Sequence, residues 1–389
     1  MKWIDPSFEV LEQKDGIEGM YEQIETAGRT CYKSVGTSYF IVPISQDEGS
    51  FYSRIMKAIH EEDDADDIES SECSGLYSIC QVGLKTLYLS LSQQMIKRIG
   101  EKLGQELESY RVEKPVNVYH ENVTAVPFVE GTLKPSGHWA MLEFGTVYLK
   151  VPLWRLDVLF SYLFNKYSRL NFGGWHYNIT TNYRVLCEKR REKDLNLFEK
   201  TDYHYSRPCV RFVMDRVGSQ SVERHRGKYG ISFAQESTRF CNYGNKKFKS
   251  EITYIIPRWM YRLRDKLANL LTPDLTPTAV DLADLEGEEM VHELMKRDKS
   301  VLRYVNQCYD SEVNYMLLTQ TTEAEKLKPQ DARGILPLCV KTEFCMCAFM
   351  VDWKHFFELR DESHAHPDIQ EIAHKLHNTS SFFTLYTHA

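Results

Sequence analysis

No stretch of this 389-residue chain approaches the roughly 18 consecutive apolar residues needed to cross a bilayer, so no membrane association is expected. Met1 to Val10 mixes Lys, Asp and Glu and has no apolar signal core, which makes a cytoplasmic location the expectation. The ten cysteines include no C-x-x-C pair, only the close neighbours Cys345 and Cys347. Neither a zinc site nor a disulfide frame is indicated, and reduced thiols in packed positions are expected. No G-x-G-x-x-G and no G-x-x-x-x-G-K-[ST] occurs, which leaves the standard dinucleotide and P-loop folds without support. No internal repeat is visible. An excess of positive charge is also missing: the formal net charge is -7, which argues against broad binding to DNA or RNA at their phosphates. A small local anion site stays possible.

What is present is ordinary globular composition, 42% hydrophobic and 26% charged, enough to bury a sizeable core. Phe8 to Leu11 reads as a strand, with a turn at Asp15-Gly16. Ile17, Met20, Tyr21 and Ile24 then give one apolar helix face that runs out near Ala27. Glu61 to Glu72 is an acidic run of the kind usually found on solvated surface. Leu84, Leu87, Tyr88, Leu91, Met95 and Ile99 read as an amphipathic helix ending in Lys97 and Arg98. Strands are expected at Thr146 to Val151, Arg207 to Met214 and Ile252 to Ile256. Helices are expected at Trp154 to Phe164, Glu312 to Lys326, Asp352 to Arg360 and Ile369 to His377, and a loop at Asn171-Phe172-Gly173-Gly174. Strands and helices interleave without regular β-α-β alternation. The fold class is therefore α+β, a central mostly antiparallel sheet flanked by helices. We expect one domain over 1–389 with two elaborations, at about 36–130 and about 153–206.

One segment concentrates cations in an acidic protein: Glu223-Arg224-His225-Arg226-Gly227-Lys228-Tyr229-Gly230-Ile231-Ser232-Phe233-Ala234-Gln235-Glu236-Ser237-Thr238-Arg239-Phe240. Guanidinium forks suit phosphates, and glycines let backbone approach a ligand; a solvated basic loop is the alternative. A second cluster is Lys328-Pro329-Gln330-Asp331-Ala332-Arg333, with Pro329 suited to the first turn of a short helix. In a third, Trp353, Phe356, Phe357 and Arg360 fall at i, i+3, i+4, i+7, which places a guanidinium on the core-facing stripe. Such an arginine requires a partner, either a carboxylate such as Asp361 or Glu362 or an anionic ligand. His364 and His366 lack a convincing third ligand, so no metal is expected. His138 and Glu143 read as either a capped turn or a catalytic dyad.

Together these segments resemble the flavin-dependent thymidylate synthases. The family signature is Arg-His-Arg followed by a short spacer and Ser, with a Ser-x-Arg-Tyr tail. It stands here as Arg224-His225-Arg226, then Ser232 to Tyr243. Ala27 to Ser34, His138 to Thr146, Asp331 to Leu338 and Asp352 to Ala365 follow the family's order. The resemblance implies methylation of dUMP to dTMP, with methylenetetrahydrofolate as one-carbon donor and NADPH-reduced FAD as hydride source. It also implies a homotetramer with active sites where subunits meet. For the residues, it implies flavin contacts at Arg224, His225, Arg226, Gln235, His138 and His355. It implies a dUMP cradle at Ser221, Arg224, Gln235, Glu236, Ser237, Thr238, Arg239, Arg333 and Arg360. Arg360 is implied as the group that polarises the uracil. The chain departs from the pattern in the longer spacer Gly227 to Ile231, in Ser221 for a longer side chain, in Phe240 for Tyr, and in Phe349 for a frequent Asn at the flavin. Two alternatives stay open: a sibling enzyme making another 5-substituted product such as 5-hydroxymethyl-dUMP, and a non-catalytic nucleotide- or RNA-binding homologue.

Overall fold

A computed structural model of the protein describes residues 1–32, 37–45, 47, 49–63, 77–81, 86–92, 96, 103, 105–107, 109–112, 125–225, 230–239, 241–244, 251–270, 282–320, 326–379 and 382. The chain opens with β1 (Lys2–Ile4), β2 (Ser7–Leu11) and α1 (Gly16–Tyr32), entered through Gly16 at a φ of +83°. There follow β3 (Thr37–Pro43), α2 (Phe51–Asp63), β4 (Tyr77–Gln81), β5 (Thr86–Ser92), β6 (Arg111–Val112) and α3 (Ala125–Phe128), which runs into a π turn at Val129–Leu133. Next come α4 (Trp139–Leu142), β7 (Thr146–Pro152), α5 (Leu156–Tyr162), β8 (Arg169–Gly173), β9 (His176–Asn182) and α6 (Tyr183–Glu188). Then come β10 (Cys209–Met214), α7 (Arg216–Glu223), β11 (Ser232–Gln235), β12 (Thr253–Ile255) and α8 (Arg258–Leu270). The C-terminal part holds α9 (Gly287–Arg297), α10 (Lys299–Gln320), α11 (Pro329–Ala332), β13 (Thr342–Cys347), α12 (Met350–Arg360) and α13 (Pro367–His377).

The fold is α+β, with antiparallel sheets flanked by helices and, among the described residues, one parallel pair, β1 with β12. The sheet that organises the rest is β11-β13-β10-β2, antiparallel throughout. Side chains alternate across a strand, and here both faces are buried. Cys209, Ala234, Cys345 and Cys347 point into a core shared with Met20, Ile24 and Ala27 of α1. Val210, Phe212, Met214, Phe233, Phe344 and Met346 point the other way, onto Trp353, Phe356 and Phe357 of α12 and onto α13. The spacing of Cys345 and Cys347 therefore marks one face of a strand, and the described cysteines are free thiols.

Several expectations change in detail. The α1 helix continues past Ala27 to Tyr32, while Ile17, on its predicted apolar face, stays exposed. The stretch read as an amphipathic helix is strand β5, paired between β3 and β4. Leu87, Leu89 and Leu91 alternate at period two, and a spacing of four residues satisfies a strand as well as a helix. Leu84, Met95 and Ile99 lie outside the described residues, as do 64–72 of the acidic run. Asn171, Phe172 and Gly173 belong to β8, and the hairpin turn is Gly174-Trp175, with Gly174 at a φ of +63°. Along α5, Val158 and Tyr162 are buried, but Phe160, Leu163 and Phe164 are exposed. The strand expected to begin at Arg207 begins at Cys209 because Arg207 is used for something else, described below. No helix among the described residues is long and apolar enough to cross a membrane.

Candidate active site

Helix α7 begins at Asp215, whose carboxylate accepts from the Gly218 N–H at 2.7 Å, a side-chain N-cap. It ends at Arg224, whose N–H donates to the Gln220 carbonyl. The next residue, His225, is folded under the helix end: its N–H donates to the Val222 carbonyl, and its ring is only 4% exposed. That ring lies 5.7 Å from Phe356 and 5.7 Å, edge-on, from His355. Arg360, at the last turn of α12, donates from Nε to His225 Nε2 at 3.2 Å. The predicted core-facing placement of Arg360 holds, since Trp353, Phe356 and Phe357 of its stripe are buried. Its partner is a histidine and not Asp361, which instead binds His374 and His377. Burial, and then the neighbouring charge of Arg224, pushes the Arg360 guanidinium down from its ordinary range. Among the described residues, no carboxylate lies within ion-pair distance of Arg224 or Arg360.

A second group forms after β11. Ser237 donates its N–H to the Cys31 carbonyl of α1, which ties this loop to the first helix. Thr238 accepts from Arg333 Nη1 at 3.1 Å. Arg333 follows α11, where Pro329 occupies the first turn as its fixed φ suggests. Arg239 and Arg333 are both exposed. Glu236 faces inward and is 2% exposed. It accepts from the Tyr243 hydroxyl at 2.7 Å and from Lys341 Nζ at 3.0 Å. Burial opposes the charge of Lys341, but Glu236 and Glu343 outweigh it and hold its pKa up. Gln235 donates from its side-chain amide to Ser219 and Thr342, and Ser221 donates its hydroxyl to the Val217 carbonyl. The chain thus brings Arg224, His225, His355 and Arg360 together, and separately Thr238 and Arg333. Arg226 and residues 227–229 of the longer spacer lie outside the described residues, as does Phe240.

His138 stands at the start of α4, which packs on β11, but Glu143 is not its acid. The Glu143 carboxylate is buried and accepts from Arg184 Nη1 at 2.6 Å. Sequence reasoning missed Arg207. It is buried and donates to the Glu143 carbonyl at 2.6 Å and to the Ser232 hydroxyl at 2.7 Å, pinning α4 and β11 together. No local pattern announces it, because its partners lie far along the chain. Asp352 was missed as well. It stands four residues before Phe356, the spacing of one helix face, and it is buried with Oδ2 3.7 Å from Arg169. Burial raises its pKa against the opposing charges of Arg169 and Arg207. Beside it a cavity of about 290 Å³ opens among Arg169, Tyr205, Phe349, Val351 and Lys354. Its wall is the ring of Phe349, with the Arg169 guanidinium 4.7 Å above. No group of three or more His, Cys, Asp or Glu among the described residues is set to hold a metal.

The α+β framework thus sets Arg360 against His225 and Arg333 against Thr238 at the ends of two helices. Comparison with known proteins makes this particular. Residues 199–381 match the family model described as thymidylate synthase complementing protein, the flavin-dependent family. The matched span includes Arg224, His225, Thr238, Arg333 and Arg360 but neither α1 nor His138. No curated protein matches the chain. Among solved structures, a UMP/dUMP methylase, PolB, from Streptomyces cacaoi, bound with 5-Br dUMP, is similar at 18% identity and a TM-score of 0.30, over 47% of this chain and 69% of that chain.

Proposed function

We propose that the protein methylates dUMP at C5 to give dTMP, drawing the one-carbon unit from methylenetetrahydrofolate and reducing equivalents from NADPH through FAD. The observation that carries this reading is the pair of guanidiniums at Arg224 and Arg360, adjacent, lacking any carboxylate among the described residues and inside the matched span. Like charges held together without a counter-ion favour an anionic ligand between them. In this reading Arg333 and Thr238, already bonded to each other, hold the nucleotide phosphate, with Ser237 and Arg239 beside them. Arg360 faces the pyrimidine and stabilises the negative charge that develops there. A fixed guanidinium does this most effectively where water is scarce. Glu236 supports the loop from below through Lys341 and Tyr243.

The donor set fits a flavin in part. Arg224 is exposed, and His355 is half-buried beside His225, so Arg224 and His355 would hold FAD. Phe349 offers an apolar ring where the resemblance implies an amide. Bound and reduced, FAD supplies the hydride that turns a methylene into a methyl group. The assembly proposed is a homotetramer with shared sites. The first test is incubation of the purified protein with dUMP, methylenetetrahydrofolate, FAD and NADPH, with the product identified by mass. A dTMP mass is expected. A 5-hydroxymethyl-dUMP mass, or dUMP binding without any flavin uptake or turnover, would replace the reading.

A further inference from the structure

Another cavity, of about 290 Å³, lies at the β2 edge of the central sheet, the opposite edge from β11 and the Ser237 loop that follows it. It is bounded by the end of β2, Gln23 of α1, Tyr148 of β7 and the 200–208 segment. Two glutamines line it, and they are used differently. Gln13 is spent: its amide donates to the Thr146 carbonyl at 2.9 Å and accepts from the Thr146 N–H at 2.8 Å. Gln23 is 7% exposed, yet its amide has no hydrogen-bond partner among the described residues. A buried amide left unpaired costs stability and is rare in folded proteins. The Tyr148 hydroxyl is also without a partner among them, although its ring is held edge-on against Phe198 and His204, 5.5 Å from Lys200 Nζ. Burial raises the pKa of that phenol, so it stays a hydrogen-bond donor. Charge is in surplus here too. Lys200 pairs loosely with the exposed Asp15 at 3.7 Å. Arg207 is 4% exposed, binds three neutral oxygens and keeps a buried Nε without a partner. Glu12 adds a carboxylate to the lining, but it is exposed, where water screens it. Val10, Leu11 and Pro208 supply hydrocarbon.

We propose that this cavity is a ligand site separate from the dUMP site, and that it takes a small organic carboxylate. The anion meets the Gln23 amide, the Tyr148 hydroxyl and Lys200 as donors, in the field of Arg207, and its hydrocarbon lies on Val10, Leu11 and Pro208. A bare phosphate has no use for the apolar lining, and a neutral amide gains little from two cations. At about 290 Å³ the space suits a metabolite-sized acid and not a dinucleotide. The site is independent of the dUMP reading, since it is built from residues that reading does not use.

The probes are benzoate and hexanoate, with benzamide and inorganic phosphate as controls, each titrated into the full-length protein by calorimetry. One acid per chain is expected at saturation, with benzamide and phosphate weaker by about ten-fold or more. Gln23→Leu should weaken binding of the acid by about ten-fold, the scale of one hydrogen bond to a charged group. Without ligand the same variant should melt no lower than wild type, because it removes an unpaired amide at nearly constant volume. Tyr148→Phe, which takes away one hydroxyl and leaves the ring contacts, should give a similar loss of affinity, and it serves in place of Gln23→Leu if that variant does not fold. Lys200→Met should weaken the acid by about three-fold and leave Tm unchanged, as expected of a surface cation. Affinity for dUMP should be the same with and without saturating benzoate. The proposal is overturned if neither acid binds saturably, if phosphate or benzamide binds as tightly as the acids, or if binding is untouched by Tyr148→Phe and Lys200→Met. Mutual displacement of benzoate and dUMP would also overturn it, by placing the acid in the nucleotide site.

Discussion

The two faces of the central sheet treat arginine in opposite ways. On the α1 side, Arg184 is matched to Glu143 and Glu188, and Arg207 is bonded to a carbonyl and two hydroxyls. On the α12 side, Arg360 is bonded to one histidine, and Arg224 adds a second positive charge beside it. Burial is not the distinguishing variable, since Arg207 is the most buried of these. The distinction is what the guanidinium meets: Arg207 bridges separate elements through three oxygen acceptors, although its buried Nε has no partner, while Arg360 meets a single ring nitrogen. A guanidinium shared among oxygens of several elements holds them together, and one that meets a single acceptor keeps donors for a ligand.

The comparison can be broken most directly at Arg360. Arg360→Ala should lower kcat for dTMP formation by about a hundred-fold or more, as loss of a group stabilising developing charge does, while Tm moves little. Arg207→Ala should do the reverse. It leaves the Glu143 carbonyl and the Ser232 hydroxyl buried without a donor, so a loss of roughly 3 kcal/mol in unfolding free energy is expected in denaturant titration. Equal effects of both variants on both quantities would erase the distinction. Arg333→Ala sharpens it from the solvent side: dUMP binding should weaken by about ten-fold and stability change by less than about 0.5 kcal/mol, read by calorimetry and thermal melting.

The smallest effect is expected at Asp352. Its folded pKa lies above the unfolded value, so the native state binds the proton more tightly. The stability this contributes is full below the unfolded carboxylate pKa of about 4 and is lost as pH rises through the folded value. Asp352→Asn should therefore raise Tm slightly at neutral pH, and the gain should vanish as the pH approaches 4. A gain that persists at acid pH would mean the carboxylate's charge is not what destabilises it.

Local periodicity made much of this legible. The stripe Trp353, Phe356, Phe357, Arg360 gave both a helix and the inward turn of its arginine, and Pro329 gave the start of α11. The same kind of pattern misled at Leu87 and Leu91, where a four-residue interval fits two periods and neighbouring strands decide. Glycine misled at Gly173, a strand residue beside a true turn at Gly174. Arg207, Lys341 and the His225–Arg360 contact were not legible for another reason. Each depends on a partner more than fifty residues away, Glu143 in the case of Arg207, and nothing in a local window records who will be opposite.

The run of thiols on one face of the sheet makes the molecule a recorder of its own breathing. Cys209, Cys345 and Cys347 are sealed under α1, while Cys31 on that helix is half-buried. A maleimide or disulfide reagent can reach the three sheet sulfurs only when the core beneath α1 opens. Their labelling rate in native buffer therefore reports the free energy of that opening, with no probe added to the chain. Because the same helix anchors the Ser237 loop, dUMP should slow that labelling in step with its binding.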